Sequence, residues 1–186
     1  MRVIAGKFKG KKLSEFELET TRPTSDLVKG ACFNILGEKV NGSVFLDLFS
    51  GTGAIGIEAL SRDAKICYFV ENNKDAVKLI EKNIKSCNIE NYKLIKTDCF
   101  EALKNLQREN IKFDIIFLDP PYKTDLAEKC IRLIQKYDLL NKNGIIMWEH
   151  DKTKLDIVKS FNIENTRKYG IKYLTKLTYE ELCKIK

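Results

Sequence analysis

No run of about 18 consecutive apolar residues occurs in the 186-residue chain, and residues 1–12 alternate Lys and Gly where an export signal would carry an apolar core. These absences predict a soluble, cytoplasmic protein without a membrane partner. The six cysteines (Cys32, Cys67, Cys87, Cys99, Cys130 and Cys183) form no C-x-x-C pair, so they read as reduced core thiols, with neither disulfides nor a metal site expected. Only three prolines are present, and no internal repeat, low-complexity linker or second core interrupts the chain. Residues 1–186 therefore read as a single domain, expected to act as a monomer. Acid is missing from residues 1–12, which hold Arg2, Lys7, Lys9, Lys11 and Lys12; over the whole chain 33 basic residues face 26 acidic ones, a net charge of +7. Such an asymmetry suits a polyanion such as nucleic acid, although a lysine-rich surface also serves solubility alone.

Short β-branched and aromatic runs at 44–46, 66–70, 92–95, 115–118 and 145–148 read as strands, mostly apolar on both faces as in a covered parallel sheet. Stretches with helical apolar spacing lie between them, and this alternation implies right-handed βαβ crossovers. Residues 160–168 and 171–179, joined across Tyr169 and Gly170, look like a closing antiparallel hairpin. The fold expected is α/β, a doubly wound Rossmann-like mixed sheet of seven strands over 43–186. A helix at 24–40, capped by Thr24 or Ser25, and a small basic hairpin at 1–13 precede it.

The segment from Leu46 through Asp47, Leu48, Phe49, Ser50, Gly51, Thr52 and Gly53 leads out of the first core strand into a helix, where an α/β sheet meets its ligand. Residues 51–56 satisfy G-x-G-x-x-G, and Glu71 lies 20 residues beyond Gly51, as a ribose-binding acid would. By that test alone an NAD-dependent oxidoreductase is a competitor. Asp47 argues for another nucleoside, because a carboxylate ahead of the loop would oppose a pyrophosphate but suit the ammonium of S-adenosylmethionine. Asp98, with Cys99 beside it, ends the third strand where an adenine amine could donate, and Glu71 with Asn72 would hold the ribose. Any one of these acids could be a strand-end residue or helix cap; three at successive strand ends, with the glycine loop, favour a cofactor site.

Asp119, Pro120, Pro121 and Tyr122 follow the fourth strand. Two prolines fix φ and remove backbone donors, leaving a stiff loop of acceptors that suits an amine substrate. An exocyclic base amine is a poor nucleophile and must be held in line with an electrophilic methyl at roughly 3–3.5 Å. The Asp119 carboxylate and Pro120 carbonyl can accept its two N–H bonds while Tyr122 stacks on the base. Orientation and charge stabilisation, in preference to obligatory proton abstraction, are the roles read for Asp119. His150, the single histidine, reads as a strand-end residue with a hydrogen bond.

These motifs, together with residues 1–7, Gly10, Lys11, Arg22, Pro23, Thr24, 33–36, 57–62, Glu149 and His150, resemble the class I methyltransferases, and specifically the bacterial small-subunit ribosomal RNA guanine-N2 methyltransferases known as methyltransferase D. The resemblance runs over nearly the whole length. It implies S-adenosylmethionine, with S-adenosylhomocysteine as product, at Asp47, Phe49, Gly51, Gly53, Glu71, Asn72, Asp98 and Cys99. It implies catalysis at Asp119 to Tyr122, and methylation of guanine 966 of 16S RNA in an assembling 30S particle. Arg2, Lys7, Lys11 and Arg22 would then contact RNA phosphates. Ala5 stands where the family often has Gly, and Lys29 where it often has Arg. Adenine-N6 methylation of DNA or RNA uses the same four-residue logic, and a non-catalytic ribosome-assembly factor retaining the cofactor site is a third reading.

Overall fold

Apolar β-branched runs alternating with amphipathic stretches fold as a layered α/β architecture in the computed structural model, which describes residues 1–16, 26–121, 124–151 and 161–179. Arg22, the Thr24 or Ser25 cap, Tyr122 and Cys183 lie outside the described residues. Helix α1 spans Asp26–Leu36, and a 3-10 turn at Gly37–Val40 replaces the last turn of the longer helix expected at 24–40. Gly37 adopts φ +56°, a left-handed value that ends an α-helix.

There follow β1 (Val44–Asp47), α2 (Ala54–Ser61), β2 (Ile66–Val70), α3 (Lys74–Ser86), β3 (Tyr92–Ile95), α4 (Cys99–Arg108), β4 (Phe113–Leu118), α5 (Leu126–Lys136), β5 (Leu140–His150), β6 (Phe161–Tyr169) and β7 (Lys172–Tyr179). One seven-stranded sheet runs in the order β3-β2-β1-β4-β5-β7-β6. Strands β1 to β5 pair in parallel, and β7 is antiparallel to both β5 and β6. Strand order reverses between β1 and β4, so the loops leaving these two strands open on the switch-point crevice.

Period-two alternation assigns each strand to two faces. On one face Phe45, Phe69, Phe117 and Met147 pack with Phe33 of α1 and Ile57 of α2; on the other Leu46, Ile116, Leu118 and Trp148 pack with Leu103 of α4 and Ile131 of α5. Helix α2 sits so near β2 that a Cβ at Gly56 would stand 2.2 Å from the Phe69 ring. Five cysteines are buried free thiols. His150 is buried and bonds Thr175 Oγ1 through Nε2 at 2.8 Å, the strand-end role expected of it.

The amino-terminal segment does form a hairpin-like turn, with a bridge between Arg2 and Lys12. It is docked on α2: the Ile4 and Ala5 amides donate to the Glu58 carboxylate at 2.8 and 3.0 Å, and the Phe8 amide donates to Ser61 Oγ at 2.9 Å. Gly6 (φ +79°) lies so close that an added Cβ would be 1.7 Å from the Ser61 carbonyl oxygen. Glu58 is fully buried, and Arg62 and Lys29 complete its coordination. Lys29, itself fully buried, also donates to the Arg2 carbonyl, so it is an internal strut and not an RNA contact.

Candidate active site at the switch point

A cavity of about 640 Å³ opens at the carboxyl ends of the parallel strands, between the loops that follow β1, β2, β3 and β4. The glycine loop forms its base. Gly51 and Gly53 adopt φ +54° and +78°, values that disfavour side chains, and Gly53 caps the start of α2. Gly51 lines the cavity, whereas Gly53 is buried beneath it, where Ile80 and Phe69 lie at 3.4 and 3.5 Å from the position of a Cβ.

Glu71 braces this loop. Its Oε2 accepts from the Gly51 amide at 2.8 Å, while Oε1 accepts from the amides of Asn72 and Asn73 at 2.9 Å. Asp98 performs the cap role that sequence left open, with Oδ1 accepting from the Phe100 and Glu101 amides, and it lines the cavity as well. One carboxylate thus both starts α4 and faces the ligand space.

Asp47 is buried at the end of β1. Its Oδ2 accepts from the Gly56 amide at 3.1 Å, and its Oδ1 has no hydrogen-bond partner. Burial raises its pKa to about 7; the Gly56 amide opposes that shift, while the charges of Asp119 and Glu71 add to it. An orphaned buried carboxylate oxygen beside a cavity fits a cationic nitrogen, and two further acids at adjacent strand ends fit a ribose and an adenine amine. The residues present therefore suit S-adenosylmethionine better than a dinucleotide pyrophosphate, which Asp47 would repel.

Asp119, Pro120 and Pro121 line the same cavity across the switch point. Asp47 and Phe117 are register partners, and Asp119 follows two residues beyond that pair, near enough for its charge to act on Asp47. Thr124 Oγ1 donates to the Pro121 carbonyl at 2.7 Å, tying the end of the two-proline segment to the residues that follow it. Phe49, Asn72 and Cys99 also line the cavity. Sequence reasoning missed Glu15, Phe16, Thr97, Phe100 and Leu126, all of which line it.

The basic residues divide. Lys7 pairs with Asp63 at 2.5 Å, and Arg2 lies 3.9 Å from Asp26, so both carry an acidic neighbour. Lys9, Lys11 and Lys12 are exposed on the docked turn and form no ion pair among the described residues. Among those residues no helix is long and apolar enough to cross a membrane.

The chain is 39% identical to YlbH of Bacillus subtilis over 153 residues, which are 82% of this chain and 83% of YlbH. It is 38% identical to the ribosomal RNA small subunit methyltransferase D of Haemophilus influenzae over 156 residues, 83% of this chain and 80% of that protein. Among solved structures, HI0767 of Haemophilus influenzae superposes with a TM-score of 0.80 at 31% identity, covering 97% of this chain and 99% of that one. The fold alone is shared with yhhF of Escherichia coli, with a TM-score of 0.85 at 24% identity over 97% and 98% of the two chains. The model of the family described as conserved hypothetical protein 95 matches residues 1–178, and the chain belongs to that family and, by its 36% and 38% identity to two of them over 84% and 83% of its length, with the ribosomal RNA small subunit methyltransferases D.

Proposed function

We propose that the protein transfers a methyl group from S-adenosylmethionine to the exocyclic N2 of a guanine in small-subunit ribosomal RNA, in the cytoplasm, acting as a monomer on an assembling subunit. The observation that carries this reading is the shared cavity: Asp119 and Pro120, acceptors suited to an amine, stand across one switch point from Asp47, Glu71 and Asp98. S-adenosylmethionine supplies, when bound, a methyl on a positively charged sulfur that leaves as a neutral thioether. Asp119 and the Pro120 carbonyl hold the two N–H bonds of the amine, which turns the nitrogen lone pair toward the methyl. As the nitrogen gains positive charge, the Asp119 carboxylate stabilises it, and its surplus proton leaves to solvent. The rigid two-proline loop fixes both acceptors before the base arrives.

Incorporation of labelled methyl into small subunits lacking the modification, followed by nucleoside analysis, tests the assignment. Label in N2-methylguanosine is the expected outcome. Label in N6-methyladenosine would move the substrate to adenine, because the same two acceptors serve either amine.

Asp47 makes cofactor binding pH-dependent. In the free protein its carboxyl is half protonated near pH 7. An adjacent ammonium favours the ionised form, so binding expels a proton and weakens as pH falls through about 7. Affinity for S-adenosylhomocysteine is expected to be about tenfold lower at pH 6 than at pH 8, one pH unit of full linkage. Calorimetry in buffers of different ionisation enthalpy reads the released proton, and Asp47→Asn should flatten the profile.

Lys9, Lys11 and Lys12 are the phosphate contacts this reading favours, because none of them pairs with an acid among the described residues. Replacing all three by alanine should weaken RNA binding and reduce the salt slope of its logarithm by roughly 0.7–0.9 for each phosphate no longer neutralised. Lys7→Ala, which removes a charge already paired with Asp63, should change the slope little.

A further inference from the structure

Asn83 lies on α3, and none of α3 lines the cavity. Its side chain is 1% exposed yet fully engaged: Oδ1 accepts from the Ser14 amide at 2.7 Å, and Nδ2 donates to the Ser14 carbonyl at 3.0 Å and to the Thr52 carbonyl at 2.9 Å. The first two bonds close the ring that a neighbouring β-strand would form with Ser14, so one side-chain amide stands in for a strand partner. The third bond reaches the glycine loop between its two left-handed glycines. Glu15 and Phe16, which directly follow Ser14, line the cavity, as does Thr52.

We infer that Asn83 is a positioning residue for the cofactor: it fixes the amino-terminal arm against the glycine loop, so that Glu15 and Phe16 form the wall facing that loop. The inference rests on the cofactor reading proposed above. Two neighbouring features support it. Ile80, one turn earlier on α3, packs where a Cβ of Gly53 would lie, so α3 touches the loop on successive turns. The arm is anchored separately on α2 through Glu58 and Ser61, so loss of Asn83 would release the arm's cavity end while its base stays docked. Asparagine is required by its chemistry. Aspartate supplies no donor for the two carbonyls, and leucine, of similar size, would orphan three backbone groups.

The test is titration calorimetry with S-adenosylhomocysteine on the parent, Asn83→Ala, Asn83→Asp, Phe16→Ala, Ser14→Ala and the Asn83→Ala/Phe16→Ala pair. Asn83→Ala should bind at least about tenfold more weakly, the scale of losing one or two buried hydrogen bonds. In methyl transfer it should raise KM for S-adenosylmethionine with little change in kcat. Ser14→Ala should match the parent, because Ser14 engages Asn83 through its backbone. Phe16→Ala should weaken binding in the parent and much less in the Asn83→Ala background, since a released arm no longer presents that ring. Additive losses, or parental affinity in Asn83→Ala, would overturn the positioning role. Phe16→Ala, a substitution at a cavity wall, decides the matter even where Asn83→Ala does not fold, because unchanged affinity there removes the wall. A parent that does not bind S-adenosylhomocysteine overturns the cofactor reading and this inference together, whereas a binding parent with unaffected variants overturns the inference alone.

Discussion

Asp119→Ala is expected to lower the rate of methyl transfer by about 10³ at saturating cofactor, the scale of removing one charged group that stabilises a transition state. Two contributions combine. The amine loses the acceptor that aligns its lone pair, and the cation developing on nitrogen loses the carboxylate facing it. Cofactor affinity should hold or improve slightly at neutral pH, because the Asp119 charge is one of the influences that raise the pKa of Asp47, and its removal eases ionisation there. Asp119→Asn separates the two contributions: it keeps an acceptor oxygen without the charge and should fall between alanine and the parent. Single-turnover kinetics of the three proteins provide the measurement. A fall in kcat/KM for the cofactor with unchanged kcat would place Asp119 in cofactor binding instead.

Glu71→Ala should give the opposite signature, with S-adenosylhomocysteine affinity reduced by about 10² and kcat at saturation changed far less, as expected when ground-state and transition-state binding are lost equally. Hydrogen bonds to a charged group are each worth roughly 1.5–3 kcal/mol, so losing the ribose interaction alone accounts for an effect of this size. A further loss comes from the loop, because Glu71 Oε2 holds the Gly51 amide and Oε1 holds the amides of Asn72 and Asn73. Glu71→Gln retains one acceptor oxygen and should recover part of the affinity. Calorimetry of the two variants decides the matter; an alanine variant that binds as the parent does would remove Glu71 from the site.

The fold was legible because its signals are local. β-branched runs such as residues 66–70 and amphipathic stretches such as residues 74–86 differ in period, and their alternation leaves few ways to wind a sheet. Boundaries were less legible. The sequence placed β5 at 145–148, but the strand runs Leu140–His150, because Leu140 pairs with Phe113 before the register shift. Residues 141–144 carry no apolar alternation that would announce it.

Site residues divide along the same line. Asp47, Gly51, Glu71, Asp98, Asp119 and Pro120, all lining the cavity, were readable because each ends a strand or closely follows one, and the parallel sheet gathers strand ends at one edge. Glu15 and Phe16 were not, since they precede the sheet by about thirty residues of chain and reach the cavity only by way of the arm. Asn83 left a signal that pattern reading passed over: a polar residue within the apolar stripe of Ala76, Val77, Ile80 and Ile84. An amide there makes sense only if a backbone arrives to be bonded.

By itself, then, the sequence determined the winding of the sheet, the glycine loop and the acids and prolines that end its strands, since hydrophobic period and backbone stereochemistry act over a few residues. Only the tertiary structure decided that Lys7 is paired with an acid while Lys9, Lys11 and Lys12 meet none among the described residues, that Lys29 is a buried strut, that the Asp47 carboxylate is left one oxygen short of a partner, and that Asn83 joins arm to loop. Burial and pairing depend on which distant groups meet in space, and spacing along a chain does not carry that information.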